Sequence, residues 1–479
     1  MTDQIRPDLC IVGAGALGIA LAQYAKGLGA RVTLVDRGEQ EPGDGPQQSL
    51  RLAALQASAA CAHALRHAGE FGLANADPKV RMKAVQERAA VLAAEQAPMT
   101  SRDRLTALGI EIVGGAAAFQ DSNSLLVGGI NIRPRGVILA LGASPFIPAI
   151  PGLDRIDYFT PDSILENNRK LTHLLVIGGD AAALSLAQAL ARLGSEVTLV
   201  PQGGILPGCD AEITAMLVAA LTAEGVRIVD GGSVREILPR AQGTGAVVDL
   251  ASGESEALDL SHVLVAMGRS ADLSPLQPEK ARLRVVSASS GQYGRGVLGE
   301  TSNRRVRLVG AAAGFEQWNH ALAHGRAVVE TALFGAPLEK LAPQPFLVLT
   351  DPPLAQIGRL AAPAKRDHGG HLLRASLVEN EQARALGVSE GLVKVVLASD
   401  GQIKGAGLIG PGALEMAALL ALAMEKRLGL ASLARLSLPS PNPLDNIVAL
   451  GAEAAALRPV SPWTRRWRQA RRWGTVWNR

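Results

Sequence analysis

The stretch DLCIVGAGALGIALAQYAKGLGARVTLVDRG, residues 8–38, decides the fold of the N-terminal part of the chain. An apolar run leads into Gly13-x-Gly15-x-x-Gly18, a helical pattern follows, and a second apolar run closes at Asp36. This order of strand, glycine turn, helix, strand and acidic residue is typical of a dinucleotide-binding unit. The glycine spacing alone would be a weak signal, and its full context makes it a strong one.

Each residue of this pattern has a chemical reason. Gly13 permits the tight turn, Gly15 lets the backbone approach a pyrophosphate, and Gly18 lets the helix pack close to the strand. The phosphates would bind the N–H groups at the helix N-terminus, and Asp36 would accept a hydrogen bond from the adenosine ribose. We therefore predict a bound dinucleotide; a glycine-rich turn without a ligand is the alternative.

A second unit, LLVIGGDAAALSLAQALARLGSEVTLVPQGG, residues 174–204, repeats this layout with an altered turn. The turn reads Gly178-x-Asp180-x-x-Ala183, and the second strand is followed by Pro201 instead of an acid, without a nearby Arg or Lys for a 2′-phosphate. A carboxylate at the position of closest approach would repel a phosphate in a partly desolvated turn. We therefore expect a retained fold whose nicotinamide nucleotide binding is weak or absent.

Composition limits the class of protein. A chain of 479 residues predicts about three domains, and a hydrophobic content of 48% with 19% charged residues favours large cores over disorder. The net charge of +4 is too small to indicate nucleic acid. A signal peptide, a membrane span and paired metal-ligand spacings are not recognisable, so we expect a cytoplasmic protein with no metal site. The cysteines are Cys10, Cys61 and Cys209.

Two such units, one intact and one altered, resemble the pyridine nucleotide-disulfide oxidoreductases, the group of dihydrolipoamide dehydrogenase and mercuric reductase. The resemblance runs from about residue 8 to about residue 455. It rests on further segments in the family's order, which are VILALGASPFIPAIPGLD (137–154), SHVLVAMGRSADLSPL (261–276), TSNRRVRLVGAAAGFEQWNHALAHGRAVVETALFG (301–335), FLVLTDPPLAQIGRL (346–360) and GAGLIGPGALEMAALLALAM (405–424).

The resemblance implies an α/β fold with two Rossmann-like nucleotide-binding domains, the FAD domain being discontinuous, and an α+β C-terminal interface domain that forms a homodimer. We place the FAD domain at 1–150 and 270–338. An impaired NAD(P)-binding-like domain covers 151–269, and the interface domain covers 345–455. A basic, Trp-rich tail, 456–479, follows.

The cofactor implied by the resemblance is FAD, bound non-covalently at the N-terminal unit, whereas NAD(P)H is doubtful. The residues expected to contact FAD are Gly13, Gly15, Ala16, Leu17, Gly18, Asp36, Arg37, Gly142, Gly310, Ala311 and His320. The family's Gly-Asp in the second flavin segment reads Gly310-Ala311 here, so one hydrogen bond to the flavin's sugar chain is lost. His320 is placed near the isoalloxazine, with Trp318 and Asn319 beside it.

The family's redox disulfide has no counterpart in this sequence. Its two sulfurs would fall near Asp44 and Ser49 in the segment 41–73, where Cys61 is the only cysteine and lies about three helical turns beyond Ser49. Cys61 is expected to be a small packed residue. Dithiol–disulfide exchange needs two sulfurs within bonding reach, so we predict that this chemistry is absent.

Two further features of the family are missing together. The Lys and Glu that pair beside the flavin correspond to Ala53 and Ser185. The C-terminal His and Glu that activate the thiols correspond to Asn442 and Ile447. If only one of the Lys and Glu had been lost, the remaining charge would be buried without a partner. The loss of both therefore indicates a stable structure and not a random lesion.

Two pairs of histidines share a helical spacing. His63 and His67 lie one turn apart, as do His320 and His324. With no acid or Cys evident beside His63 and His67, we interpret this pair as surface or packed residues instead of a metal site.

The C-terminal segment PWTRRWRQARRWGTVWNR, residues 462–479, holds four tryptophans and six arginines without an acid. On a helix, a single stripe is formed by Trp463, Trp467, Ala470, Trp473 and Trp477, and Arg465, Arg468 and Arg472 lie largely opposite. Such a helix suits an anionic membrane surface or a groove on a partner protein. The alternative is a tail packed on its own domain.

Two functional hypotheses follow. The first is an FAD enzyme that has abandoned disulfide chemistry and exchanges electrons with another partner, such as a membrane quinone or a protein. The second is a non-catalytic, dimeric assembly protein in which FAD is structural and the tail attaches the dimer to the inner face of a membrane or to a partner. The sequence names no catalytic residue, substrate or electron acceptor.

Overall fold

A computed structural model of the chain describes residues 4–38, 45–95, 101–241, 243–285, 298–315, 317–335, 341–360, 370–388 and 390–457, together with the tail residues 463, 466, 467, 470 and 471. The chain divides into two compact units. Unit 1 comprises Met1–Pro207 and Leu221–Leu341, and unit 2 comprises Gly208–Ala220 and Ala342–Arg479.

The first part of the chain alternates strands and helices, as the sequence predicts. Its elements are β1 (Gln4–Ile5), β2 (Leu9–Val12), α1 (Ala16–Gly27), β3 (Val32–Asp36), α2 (Pro46–Arg66), α3 (Met82–Ala94), α4 (Arg102–Ala107), β4 (Glu111–Gly114), β5 (Ala117–Asp121), β6 (Ser124–Val127), β7 (Ile130–Ile132), β8 (Gly136–Leu139), β9 (Ser144–Pro145), β10 (His173–Ile177), α5 (Ala181–Arg192), β11 (Glu196–Val200) and α6 (Ala211–Ala223).

The second part is richer in antiparallel strands. Its elements are β12 (Arg227–Ile228), β13 (Ser233–Pro239), β14 (Thr244–Asp249), β15 (Ser255–Leu260), β16 (His262–Val265), β17 (Arg269–Ser270), β18 (Val306–Leu308), α7 (Trp318–Phe334), β19 (Phe346–Val348), β20 (Leu354–Gly358), β21 (His371–Ser376), α8 (Glu381–Ala385), β22 (Leu392–Leu397), β23 (Ile403–Ile409), α9 (Ala413–Glu425) and α10 (Asp445–Leu457).

The first parallel sheet of unit 1 has the strand order β18-β8-β2-β3-β4. Side chains of β2 alternate between two cores because successive residues of a strand point to opposite faces. Leu9 and Ile11 pack with α1 and α7, whereas Cys10 and Val12 pack with the sheet β1-β7-β6-β5 through residues such as Phe119. Both faces of the sheet are therefore covered, as is usual for parallel strands.

The second parallel sheet of unit 1, β12-β11-β10-β16, repeats this arrangement. One core lies between β10, β16 and the antiparallel sheet β13-β14-β15, and it includes Ile177, Val265 and Ala246. Helix α5 connects β10 to the parallel neighbour β11 and buries most of its residues. The two predicted Rossmann-like units are thus present in the structure.

Unit 2 contains the antiparallel sheet β19-β20-β23-β22-β21. Leu408 of β23 shares a core with Met416 of α9 and Leu450 of α10. A largely buried ion pair also stabilises this unit, with the Lys394 ammonium 2.6 Å from the Asp210 carboxylate. This α+β architecture matches the predicted C-terminal part. Within the described ranges, no helix is both long enough and apolar enough to cross a membrane.

Candidate functional site

The predicted cofactor residues gather at one edge of the first parallel sheet. Strands β2, β3, β8 and β18 run parallel, so their carboxyl ends, at Val12, Asp36, Leu139 and Leu308, face the same edge. Ligands of open α/β sheets bind outside these carboxyl ends. The topology therefore brings the glycine turn, the acidic residue and the two later glycine segments to one place.

Gly13 and Gly18 are glycines because the protein's own packing requires it. Gly13 has a φ of +112°, and a Cβ there would clash with the carbonyl oxygen of Ala140. A Cβ on Gly18 would clash with the carbonyl oxygen of Gly13. The first permits the turn and the second permits close packing of helix and strand, as predicted.

At Gly15, by contrast, the packing of the protein does not require a glycine. It is the N-cap of α1 with φ −67° and ψ 176°, which any residue adopts. A Cβ built there meets no atom within 4 Å, and Gly15 is exposed. Gly15 has no side chain with which to cap α1, so the N–H groups of the first turn, beginning with Ala16 and Leu17, receive no hydrogen bond from their N-cap residue. A helix N-terminus of this kind attracts anions.

Asp36, Arg37 and Gly142 border this open turn along the sheet edge. The Asp36 carboxylate accepts a hydrogen bond of 2.9 Å from the N–H of Gly38, which holds it at the end of β3. Arg37 follows and is exposed. Gly142 lies just beyond β8 with a φ of +68°, and a Cβ there would meet nothing within 4 Å.

The later glycine segment packs directly against the first turn of α1. A 3₁₀ turn, Gly310–Ala313, follows β18, and a Cβ on Gly310 would lie 2.6 Å from Cδ2 of Leu17. Ala311 is half-buried in this turn, and His320 is half-buried in the first turn of α7. The structure therefore brings Gly310 to the glycine turn, while the position of His320 beside a flavin ring stays a prediction.

The second turn is filled where the first is open. The side chain of Asp180 caps α5, with its Oδ1 accepting a hydrogen bond of 2.8 Å from the N–H of Ala183. Burial raises the pKa of Asp180 above its ordinary value, and the backbone N–H groups of Ala183, Gly268 and Ala182 act in the opposite direction.

The segment after β11 covers the second turn. The N–H of Leu206 donates a hydrogen bond of 2.8 Å to the carbonyl oxygen of Gly179, and a Cβ on Gly179 would clash with the carbonyl oxygen of Gly204. Gly178 and Gly179 are consequently buried. Sequence reasoning did not predict this cover, because the contact depends on the path of an irregular segment, and the poor fit of Asp180 to a phosphate stays a prediction.

The three cysteine side chains differ in their exposure to solvent. Cys10 is buried in β2, and burial raises its pKa to about 12. Cys61 is exposed, so the prediction that it packs in the interior is wrong: Ala59 and Ala62 occupy the buried face of α2 instead. Cys209 is half-buried.

The family's two sulfurs would fall near Asp44 and Ser49. Ser49 is exposed in the first turn of α2. The position predicted near Asp44 lies outside the described residues.

The positions of the family's other catalytic groups hold uncharged residues here. Ala53 is exposed on α2 and Ser185 is buried in α5. In unit 2, Ile447 is fully buried in the core, and the Asn442 side chain accepts a hydrogen bond from the N–H of Leu444 just before α10. None of these four side chains can hold a positive charge or act as a general base.

A buried ion pair, which was not predicted from the sequence, stabilises the place in unit 1 where β9 and β17 run side by side. These two strands pair antiparallel. The Arg269 guanidinium binds both carboxylate oxygens of Asp162 at 3.0 Å and also donates to the carbonyl oxygen of Ala143. Gln48 of α2 donates to Asp162 at 3.3 Å. Both charged side chains are 9% exposed.

The histidine pair of α2 has an acidic neighbour after all. The rings of His63 and His67 lie 4.3 Å apart, and Nδ1 of His67 lies 3.2 Å from a carboxylate oxygen of Glu70. The statement that no acid accompanies this pair is therefore wrong, since Glu70 follows at the i+3 position. The described residues nevertheless contain no group of three metal-ligating side chains.

The tail is described only at scattered positions. Trp463 is 76% exposed and Trp467 is 48% exposed, and the Arg471 guanidinium lies 4.5 Å from the centre of the Trp467 ring. The rest of the predicted stripe, Trp473 and Trp477, lies outside the described residues, as do Arg465, Arg468 and Arg472.

Comparison with known proteins agrees with this architecture. The profile of the pyridine nucleotide-disulphide oxidoreductases matches residues 7–325, and the profile of the family's dimerisation domain matches residues 344–448. The latter match supports a homodimer.

Individual relatives cover most of the chain. The dihydrolipoyl dehydrogenase of Geobacillus stearothermophilus is 27% identical over 473 residues, which are 95% of this chain and 97% of the relative. The mercuric reductase of Staphylococcus aureus is 26% identical over 371 residues, or 75% of this chain, and the chain spans 65% of that relative's length.

Among solved structures, the HOCl-induced flavoprotein disulfide reductase RclA from Escherichia coli superimposes with a TM-score of 0.78 at 20% identity, covering 93% of this chain and 99% of that chain. At this identity the likeness concerns the fold, and it confirms the predicted class of fold. The profile matches over residues 7–325 and 344–448 establish that the chain belongs to the pyridine nucleotide-disulphide oxidoreductase family.

Proposed function

We propose that the chain is an FAD-binding oxidoreductase that has abandoned dithiol–disulfide exchange and binds NAD(P)H weakly. The observation that carries the proposal is the contrast between its two dinucleotide-type turns. The turn at Gly15 is open at a helix N-terminus without a side-chain cap, whereas the turn at Asp180 is filled by its own carboxylate.

The open turn fits FAD. The N–H groups that follow Gly15 would hold the pyrophosphate, and Asp36 would accept a hydrogen bond from the adenosine ribose. Gly142, Gly310 and Ala311 line the same edge, with His320 proposed nearby. A bound flavin supplies hydride and electron transfer. Ala311 offers no carboxylate to the flavin's sugar chain, a loss of about 1.5–3 kcal/mol that the remaining contacts can absorb.

The proposed absence of dithiol chemistry rests on the positions of the cysteines. They are at positions 10, 61 and 209, so the segment 37–60 contains none. The C-terminal segment 427–452 contains neither His nor Glu. A general base has no task without a thiol to deprotonate, so the two losses support one another.

Weak binding of NAD(P)H is proposed from the second turn. A nucleotide would have to displace the carboxylate of Asp180 and the segment seated on Gly179. Pro201 follows β11 at the place of the ribose-binding acid. Dissociation constants are expected to exceed about 1 mM, so electrons would come from another donor, such as a membrane quinone or a protein partner.

We retain the four-part division of the chain as part of this proposal. The FAD domain would comprise 1–150 and 270–338, the impaired nucleotide domain 151–269, the interface domain 345–455 and the tail 456–479. The exposed Trp463 and Trp467 support a tail that attaches the dimer to an anionic membrane face or to a protein there.

The second candidate is a non-catalytic, dimeric assembly protein with structural FAD. It is favoured by the joint replacement of charged and basic groups at Ala53, Ser185, Asn442 and Ile447. Of these residues, Ile447 packs in the core and Asn442 accepts a local hydrogen bond. Both candidates predict yellow protein, and they differ in whether the flavin can be reduced and reoxidised by a partner.

The absorbance spectrum of the purified protein is the first test. Flavin bands after incubation with FAD support the proposal, and their absence would contradict it. Under anaerobic conditions, NADH and NADPH should bleach these bands slowly or not at all, whereas a reduced quinone or electron-carrier protein should bleach them if the chain is an enzyme.

A second test concerns disulfide chemistry. Lipoamide, glutathione disulfide and mercuric ion should not be turned over with either nicotinamide nucleotide. NADH-dependent lipoamide reduction that survives Cys61→Ser would refute the proposed loss of dithiol exchange.

A further inference from the structure

The two dinucleotide-type turns of unit 1 have nearly the same backbone conformation. Gly13 and Gly178 open them with φ +112° and +134°. The N-cap residues Gly15 and Asp180 have φ/ψ of −67°/176° and −80°/177°. Because the backbones agree, the difference between an open and a filled turn lies in the side chain at one position and in what covers it.

The carboxylate of Asp180 has the chemistry of the missing phosphate. It is a small anion at the N-terminus of a helix of 12 residues, where the helix dipole favours negative charge. It accepts a hydrogen bond of 2.8 Å from the N–H of Ala183 in the first turn of α5. The corresponding N–H groups of α1 are those that a nucleotide pyrophosphate would use in the first unit.

The backbone N–H of Gly268, outside the helix, also favours the charged form of the Asp180 carboxylate. Gly268 directly precedes Arg269, whose guanidinium binds Asp162.

We propose that Asp180 is an internal anion that occupies the phosphate position of the second turn and thereby decides the exclusion of nicotinamide nucleotides. The inference rests on the proposed function only in naming the excluded ligand. A pyrophosphate would meet a like charge and find its N–H donors already used. The segment ending at Leu206, which is hydrogen-bonded to Gly179, closes over a turn that is already filled.

The experiment compares NADH binding to the full-length chain, measured by calorimetry, in three variants. Asp180→Gly restores the glycine found at Gly15. Asp180→Ser keeps a good N-cap while removing the charge, so it remains informative if the glycine variant fails to fold. Asp157→Ser removes one exposed aspartate of the same unit and serves as the matched control.

Asp180→Ser and Asp180→Gly are expected to bind NADH at least about tenfold more tightly than the unchanged chain, because releasing charge-assisted N–H donors changes an affinity by that factor or more. Asp157→Ser should match the unchanged chain. A folded Asp180→Ser variant with unimproved affinity would overturn the inference, as would micromolar NADH binding by the unchanged chain. Flavin content is measured separately: colourless protein would contradict the proposed function and leave this comparison valid.

Discussion

Replacing Gly15 by Asp should place a carboxylate at the N-terminus of α1, as Asp180 does at the N-terminus of α5. Gly15 has an ordinary φ of −67°, and a Cβ there meets nothing within 4 Å, so the fold tolerates the change. Asp is also a better N-cap than Gly by a few tenths of a kcal/mol. The cofactor-free variant should therefore melt no lower than the cofactor-free parent.

The effect on FAD should be large. If the new carboxylate occupies one N–H donor of α1, as Asp180 does on α5, the loss is about 1.5–3 kcal/mol, since this is what a hydrogen bond to a charged group contributes. This corresponds to a loss of affinity of about 10- to 10²-fold. The assay is flavin absorbance per chain after dialysis against a fixed concentration of FAD.

Gly18→Ala provides the contrast. A Cβ at this position would clash with the carbonyl oxygen of Gly13, and overpacking of this kind costs about 1–3 kcal/mol. This variant should lose flavin because the fold is destabilised, with a Tm lower by about 2–12 °C. A Gly15→Asp variant that keeps its full flavin content would refute the assignment of the open turn.

Three further predictions concern other parts of the chain. Arg269→Met leaves the carboxylate of Asp162, which is 9% exposed, without its charged partner and should lower the free energy of unfolding by about 3–5 kcal/mol. As a control, Glu87→Ala in the exposed pair with Lys83 should change this free energy by less than about 1 kcal/mol. Equal effects of the two variants in denaturant titrations would contradict the role of the buried pair. The pKa of Asp180 is raised above its ordinary value of 3.8, so ionisation of Asp180 destabilises the native state as pH rises above 3.8. Asp180→Asn should therefore melt no lower than the parent at pH 7, and any gain in Tm should shrink as pH falls toward 3.8. A gain in Tm that grows on acidification would contradict this prediction. Full-length protein should co-sediment with anionic vesicles more than with neutral ones and less at high salt, whereas a chain ending at Arg458 should not; identical sedimentation of the two proteins would exclude the membrane role of the tail.

The sequence alone predicted those features that depend on local pattern. Gly13, Gly18 and Asp36 have the geometry expected of them, because a tight turn, a close helix contact and a strand end are all encoded within about thirty residues. The order of later segments then specified the class of fold. The departure of the second turn from the glycine pattern at Asp180 was also visible, since it concerns one residue at one position of a recognisable turn.

The parts that could not be predicted depend on long-range contacts. The Asp162–Arg269 pair joins residues 107 positions apart, and the cover over Gly179 depends on an irregular segment without periodicity. Cys61 was misplaced because α2 is rich in alanine, so its buried face cannot be read from hydrophobic spacing. The contact of His67 with Glu70, by contrast, was available from the i, i+3 spacing and was overlooked.

The three thiols form a graded set of chemical probes. Thiolates are the reactive form of cysteine, and the pKa of Cys10 is raised to about 12 and that of Cys209 to about 11, whereas Cys61 is exposed. An alkylating reagent at mildly alkaline pH should therefore modify Cys61 first. Cys10, in the central strand β2, becomes reactive only when that strand leaves the sheet. The delay between the first and the last modification, followed by mass spectrometry, consequently measures the free energy of opening the first sheet in a chain that carries no added label.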